Sequence, residues 1–224
     1  MSARAYPRSV SQRSYEDACG AALAMDVIGE RWALLIAREL MFGPKRFRDL
    51  RGGLPKASQN VLSQRLRELE GNGVVRRVEL GPPVSTHVYE LTERGRQLEA
   101  VLIALARWGA HIQGKDGADM STDAFMLLLK ALYLPPADGV PTMAVRLLVG
   151  VDSFDVEVEP ASISVVRGAR ADVDATARAD VPTLLSLIFT DATVASAVDA
   201  GVLEVTGDQA AGQRFFTLFG LPPS

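Results

Sequence analysis

Few residues of this chain are suited to redox, metal or nucleophilic chemistry. Its 224 residues include one cysteine and two histidines. A single cysteine cannot form a disulfide within the chain, which favours a protein of the reducing cytoplasm. His87 and His111 lie far apart in the sequence, in neither a metal-binding nor a catalytic-triad spacing. Phosphate-binding loops, dinucleotide motifs, zinc-protease motifs and nucleophile elbows are also missing. We therefore predict no enzyme, no catalytic residue, no metal and no cofactor.

The sequence also lacks long hydrophobic runs. The longest, AFMLLLKALYL, is interrupted by Lys130 and is too short to cross a bilayer. The N-terminal segment MSARAYPRSVSQRSY is basic but has no apolar core of the kind found in signal peptides. These features predict a cytoplasmic protein without membrane insertion, and residues 1–14 are expected to form a flexible arm.

Positive charge is distributed unevenly along the chain. Residues 1–115 contain 18 basic and 12 acidic residues, whereas residues 116–224 contain 6 and 15. Within residues 45–77 there are 9 basic and 3 acidic residues, so most of the basic excess lies there. This asymmetry predicts two modules with different partners, and the basic segment predicts a polyanionic partner for the first.

The basic segment also has the pattern of a helix-turn-helix. A short helix is predicted from Phe47 to Arg51, and Ser58 is a good N-cap for the helix that follows. Three leucines follow this cap at helical spacing: Leu62, Leu66 and Leu69. The β-rich segments VVRRVEL and THVYELT, joined by Gly-Pro-Pro, then predict a hairpin. Helix, turn, capped helix and basic hairpin together predict a winged helix-turn-helix.

If these leucines face the core, the opposite face of the capped helix is polar and can contact base edges in the major groove of double-stranded DNA. The polar residues predicted to contact DNA are Ser58, Gln59, Asn60, Ser63, Gln64 and Arg67. Basic side chains around the helix suit phosphate contacts, which position a protein without selecting a sequence. The residues predicted to contact phosphates are Lys45, Arg46, Arg48, Arg51, Lys56, Arg76 and Arg77, with His87 beside the wing. For any single residue, the alternative is an ordinary solvated surface.

An apolar stripe follows the hairpin, on a long helix that Thr92 would cap. The stripe consists of Leu98, Leu102, Leu105, Trp108 and Ile112. Because it lies beyond the helices that it would otherwise cover, it predicts a partner surface and therefore a homodimer. The alternative is packing against the second domain.

Cys19, the segments IGERWALLIARELMFGPKRFRDL, LSQRLRELEGNGVVRR and PPVSTHVYELTERG, and the closing ARWG follow one another in this order. In these features, residues 15–109 resemble the HxlR-type branch of the MarR-like bacterial transcription regulators. The resemblance implies a homodimer, DNA recognition by the helix Ser58–Glu70, and a wing near Gly81–Thr86. In some relatives a cysteine near this position senses oxidation, so Cys19 is a candidate redox sensor. Its alternative is a small core residue.

The second half of the chain begins after a linker rich in Gly and Asp, and we place the boundary near residue 118. Residues 15–117 would then form the DNA-binding and dimerisation domain, and residues 118–224 the second domain. There, a buried helix precedes β-branched segments, and predicted helices flank the short strand VLEVTG. Strands in a run, followed by helices and a returning strand, predict an α+β domain.

The acidic strand, Leu-rich helix, small-residue helix, GVLEVTGD strand and aromatic final helix resemble sterol-carrier-protein-like domains. The resemblance implies a curved sheet whose helices enclose an apolar tunnel for an apolar small molecule or lipid. The residues predicted to line this pocket are Leu184, Leu187, Ile188, Phe215, Phe216 and Phe219. The alternative for these residues is plain core.

The sequence therefore predicts a dimeric transcription regulator whose affinity for operator DNA is set by an apolar ligand in the second domain. Two alternatives stay open. The second domain could serve assembly alone, or the chain could be a lipid or hydrophobe carrier whose winged helix no longer binds a defined sequence. A cavity with apolar walls would favour a ligand, and a filled core would favour assembly.

Overall fold

The computed structural model describes residues 14–81, 86–112, 119–136, 139–168 and 170–221. The chain forms two compact units, Met1–Leu102 and Ile103–Ser224. This division falls inside a helix rather than at the linker near residue 118. The difference arises because a Gly- and Asp-rich stretch signals a loop but does not reveal where the preceding helix packs. The assignment of a function to each domain stays a prediction.

The elements that begin in the first unit are α1 (Gly20–Ile28), α2 (Ala33–Glu39), α3 (Phe47–Gly53), α4 (Gln59–Gly71), β1 (Val75–Leu80), β2 (Thr86–Leu91), α5 (Glu93–Arg96) and α6 (Leu98–Gly109). The helices and the hairpin predicted for the basic segment are present. The long helix predicted after Thr92 is two helices, interrupted at Gln97.

The core of the first unit lies where α2, α3 and α4 meet. Ile36, Leu50 and Leu62 are completely buried there. The antiparallel hairpin pairs Val75 with Leu91 at its base and Leu80 with Thr86 near its tip. Residues 82–85 of the predicted wing tip lie outside the described residues.

The second unit consists of five strands and the helices that pack on them. Its elements are α7 (Thr122–Leu132), β3 (Met143–Val149), β4 (Asp152–Val158), β5 (Ile163–Arg167), β6 (Ala175–Arg178), α8 (Val181–Phe189), α9 (Val194–Asp199), β7 (Glu204–Gly207) and α10 (Gln209–Phe216). The strand order is β5-β4-β3-β6-β7, in which β3 and β6 are parallel and the other neighbours are antiparallel. Helix α7 contacts β5, and α10 contacts β3, β6 and β7.

Alternate residues of β3 are buried, as expected for a strand with one face on a core. Phe125 from α7, Phe154 from β4 and Phe215 from α10 are completely buried in that core. Gly212 allows close helix–sheet contact, because a Cβ there would lie 2.7 Å from Val205 Cγ1. The α+β class predicted from the sequence is confirmed. The narrower sterol-carrier-like assignment stays a prediction, since a mixed sheet with packed helices is shared by many α+β domains.

Candidate nucleic-acid interface

Helix α4 separates its apolar and polar residues cleanly. Ser58 Oγ accepts a hydrogen bond from the Val61 N–H at 3.4 Å and caps the helix, as predicted. The three leucines of the helix face inward and are buried. The predicted contact residues that are exposed are Ser58, Gln59, Asn60, Gln64 and Arg67, and Ser63 is half-buried. Gln64 Nε2 donates to Glu68 Oε1 at 3.0 Å, so this side chain is oriented along the exposed face.

Two cations of the basic segment are mostly buried and form ion pairs within the protein. Lys45 Nζ lies 2.9 Å from Glu39 Oε2, and only 14% of the Lys45 side chain is exposed. Arg65 forms ion pairs with Glu30 and Glu68 and is also mostly buried. The prediction that Lys45 contacts phosphate is therefore corrected. Sequence reasoning missed this role because Glu39 lies six residues away on another element, where spacing gives no sign of a buried acceptor.

The other predicted basic residues differ in how exposed they are. Arg48, Arg51 and Lys56 are exposed, whereas Arg46 is half-buried at the N-terminus of α3. Arg48 Nε lies 3.3 Å from Asp49 Oδ1, but most of the side chain is in solvent. An exposed pair of this kind is weak enough to be exchanged for a phosphate contact.

The hairpin presents its cations on opposite faces. Arg76 is opposite Glu90 in the register, and its Nε lies 2.6 Å from the Glu90 Oε1. Side chains alternate along a strand, so Arg77 points away from Arg76. Arg77 shares its face with the exposed His87 and has no ion-pair partner among the described residues. Arg77 is therefore better placed than Arg76 for a phosphate contact.

A clamp of three residues, Thr92, Arg94 and Gly95, holds the loop that joins α4 to β1. Thr92 Oγ1 donates to the Gly73 carbonyl oxygen at 2.6 Å, and Arg94 Nη1 donates to the Asn72 carbonyl oxygen at 2.5 Å. A Cβ at Gly95 would overlap the Val74 carbonyl oxygen. The sequence predicted Thr92 as a helix cap but gave no sign that this cap also contacts the end of α4.

Cys19 is exposed at the N-cap of α1, so the structure contradicts a core role for it. The backbone N–H groups of Ala21 and Ala22, in the first turn of α1, lower the pKa of the Cys19 thiol. A lower pKa increases the thiolate fraction at neutral pH. Redox sensing by Cys19 stays a prediction.

Alkylation of Cys19 should reveal this lowered pKa. We expect its reaction with iodoacetamide, followed by mass spectrometry across a pH series, to reach half of its maximal rate at a lower pH in the folded protein than in urea. The same thiol in the unfolded chain is the control, because it has lost the two N–H contacts. Equal midpoints in both states would contradict the assignment.

The predicted dimer stripe on α6 is only partly available to a partner. Leu102 is 4% exposed and belongs to the core, so the structure excludes it from the stripe. Leu98 is half-buried. The exposed apolar residues on or just after this helix are Val101, Leu105, Trp108 and Ile112. Trp108 is 72% exposed, an unusual position for the largest apolar side chain of a helix.

The six residues predicted to line an apolar pocket are placed mainly in the core. Leu184, Leu187, Phe215, Phe216 and Phe219 are buried, and Ile188 is half-buried. The Phe215 ring lies 5.1 Å from Phe216 and 5.0 Å from Phe219, centroid to centroid, in edge-to-face contacts that fill this region.

A cavity of about 620 Å³ lies elsewhere in the second unit. Its lining includes Leu185, Ser186 and Phe189 of α8 and the C-cap residue Thr190, which are different residues from those predicted. Helix α8 therefore contributes to this cavity through a different face from the one that carries Leu184, Leu187 and Ile188. Leucines occur on both sides of α8, so composition alone could not distinguish them.

In the described part of the chain, no three His, Cys, Asp or Glu residues are grouped as metal ligands. No helix there has the length and hydropathy needed to cross a membrane. These findings leave the exposed face of α4, with its flanking cations, as the best-defined candidate site of the first unit.

A capped helix after a short helix and turn, followed by a basic hairpin, defines a winged helix-turn-helix protein. Residues 27–116 match the family described as HxlR-like helix-turn-helix. The HTH-type transcriptional regulator YtcD of Bacillus subtilis is 40% identical over 87 residues, which cover 39% of this chain and 69% of YtcD. YodB, an HTH-type transcriptional regulator of the same organism, is 41% identical over 85 residues, covering 38% of this chain and 76% of YodB. This chain belongs to the HxlR-like helix-turn-helix family.

Solved structures include the reduced form of YodB, which is 36% identical. The alignment covers 45% of this chain and 98% of that one, with a TM-score of 0.39.

Proposed function

We propose that this protein is a DNA-binding transcription regulator that recognises its operator through α4. The observation that carries the proposal is the exposed polar face of this helix, opposite three buried leucines. Gln64 and Arg67 carry the amide and guanidinium groups that hydrogen-bond adenine and guanine edges in a major groove. Arg48, Lys56 and Arg77 supply exposed positive charge around the helix for phosphate contacts. The related proteins YtcD and YodB are named as transcriptional regulators, which supports the same role.

We further propose that the regulator is a homodimer held by the outer face of α6. Val101, Leu105 and Trp108 follow one another at helical spacing and are exposed. A two-fold dimer presents two copies of α4, so the operator should be a near-palindrome. Its half-sites should lie about one helical turn of DNA, or a multiple of it, apart.

An apolar ligand in the second unit completes the proposal. Its support is the cavity of about 620 Å³, which is within the usual size range for small-molecule sites. The ligand can alter DNA affinity only if it binds one dimer geometry more tightly than another. This coupling must be reciprocal, so operator DNA must change the affinity for the ligand by the same factor.

Substitutions in α4 test the DNA-binding proposal. We expect Gln64→Ala or Arg67→Ala to weaken binding to the selected operator by about 1–3 kcal/mol and to relax the preference at one base-pair position. Fluorescence anisotropy with the operator and with single-base variants of it, at fixed salt, measures both effects.

Arg77→Ala is the comparison variant, because a phosphate contact carries no sequence information. It should weaken binding to all sequences alike and reduce the slope of log affinity against log salt by about one. Equal loss on every DNA sequence after Gln64→Ala would contradict base contact by that residue. If the unaltered protein bound no DNA more tightly than random sequence, the alternative of a hydrophobe carrier would be favoured.

A further inference from the structure

The cavity in the second unit has walls from three helices. Ala106 and Ala110 lie on the α6 side, Leu128 is on α7, and Leu185 and Phe189 are on α8. Its volume of about 620 Å³ exceeds what a few water molecules would fill, and its side chains are mostly aliphatic or aromatic. Apolar walls of this size favour a ligand with a substantial hydrocarbon part.

Two hydroxyls, those of Ser186 and Thr190, are the polar side-chain groups among the described residues of the cavity, and each already donates its hydrogen. Ser186 Oγ donates to the Thr183 carbonyl oxygen at 2.7 Å, and Thr190 Oγ1 donates to the Ser186 carbonyl oxygen at 2.7 Å. A hydroxyl has one hydrogen to donate and two lone pairs. Thr190 Oγ1 also accepts from the Ala192 N–H at 3.2 Å. Toward the cavity, both side chains therefore act as hydrogen-bond acceptors. Ser186 Oγ has more lone pairs available than Thr190 Oγ1, which already accepts one hydrogen bond.

Charge also restricts which ligands the cavity can bind. Among the described residues, the side chains that line the cavity include no acid and no base. A carboxylate placed there would lose water, would gain no cation from these side chains, and would face two acceptor oxygens. A neutral molecule that donates one hydrogen bond carries no charge into the cavity, and the acceptor replaces the hydrogen bond that it loses to water.

We infer that this cavity binds a neutral alcohol with an apolar chain, whose hydroxyl donates a hydrogen bond to Ser186 Oγ. The inference rests on the proposal that the second unit binds an apolar ligand, and it names the chemical class. The alcohol contacts Ala106 and Ala110, which lie on the side of α6 opposite Val101, Leu105 and Trp108. One helix thus carries the ligand contact on one face and the proposed dimer contact on the other.

The test uses the full chain and three probes of similar length: decanol, decyl methyl ether and decanoate. Isothermal titration calorimetry should show decanol binding about three- to tenfold more tightly than the ether, which lacks the donor hydrogen. Decanoate should bind at least about tenfold more weakly than decanol, because its charge is desolvated. Decanoate binding as tightly as decanol would overturn the ligand class. Failure of all three probes to bind would overturn the site itself.

Two variants and one control variant locate the bound alcohol. Ala106→Phe places an aromatic ring in the cavity and should strongly weaken decanol binding, whereas Ala195→Phe, at an exposed alanine of the same unit, should leave it unchanged. Ser186→Ala removes the acceptor with little change in volume and should make decanol and the ether bind equally. Unchanged decanol binding by a folded Ala106→Phe protein would place the ligand elsewhere. A retained preference for decanol in Ser186→Ala would remove Ser186 from the site. Neither result depends on DNA, so failure here is distinguishable from failure of the operator proposal.

Discussion

Replacing Leu105 and Trp108 together with glutamate should convert the protein to a monomer and lower its affinity for a two-half-site operator by about 100-fold or more. The reason is that a dimer binds its second half-site from within the same complex, at a high effective concentration, which a monomer loses. Both side chains are exposed in the single chain, so the substitutions remove no core contact. Sedimentation velocity measures the mass, and fluorescence anisotropy measures binding to the full operator.

Affinity for a single half-site provides the internal control for this variant. It should change much less than affinity for the full operator, because α4 is untouched. Ala100→Glu places the same charge on another exposed side of α6 and should leave both the dimer and its operator affinity intact. A dimer that persisted in the double variant would show that a different surface makes the contact.

Removal of the Glu39 carboxylate should destabilise the first unit by about 3 kcal/mol, the lower end of the range for breaking a buried ion pair. Glu39 is completely buried, and its two oxygens accept from Arg38 Nη2 at 2.8 Å and Lys45 Nζ at 2.9 Å. Arg38 and Lys45 keep some exposure to water, so the loss of stability should not reach the upper end of the range for buried ion pairs. Urea unfolding of Glu39→Ala measures the change in the free energy of unfolding.

Gly53 provides a coupled test of the same contact. A Cβ at this position would overlap Glu39 Oε2, so Gly53→Ala should displace the carboxylate and destabilise the protein. In the Glu39→Ala background, the same change should cost little, because the overlapping atom is gone. The two substitutions should therefore be strongly non-additive. Additive effects, or a loss below about 1 kcal/mol for Glu39→Ala, would contradict the proposed role of the buried charge.

The sequence predicted best where a local pattern determines the structure. Ser58 and the leucines after it specify a capped amphipathic helix within a few residues of each other, and the polar face of α4 follows from that periodicity. The strands of the second unit were also predictable, since β-branched runs between turn residues need little tertiary information.

Prediction failed where the partner of a side chain comes from another element. Lys45 appeared to be one more cation of a basic segment until Glu39 was placed beside it. Leu102 has the spacing of the predicted exposed stripe, but its side chain is buried in the core. The aromatic residues of α10 fill space that the resemblance had assigned to a ligand, while the cavity lies against another face of α8. Periodicity identifies apolar faces but does not specify what covers them.

Because Thr92, Arg94 and Gly95 clamp the loop after α4, the helix and the hairpin are held as one stiff body. In the proposed operator complex, the distance between the base contacts of α4 and the backbone contacts of the hairpin is then set by the protein. A DNA duplex that binds such a surface must therefore change its own shape, by bending or by changing the width of its grooves. The energy of that deformation depends on base steps that no side chain contacts, and flexible pyrimidine–purine steps deform most easily. In the proposed operator complex, the clamp therefore extends sequence selectivity beyond the bases that Gln64 and Arg67 are proposed to contact.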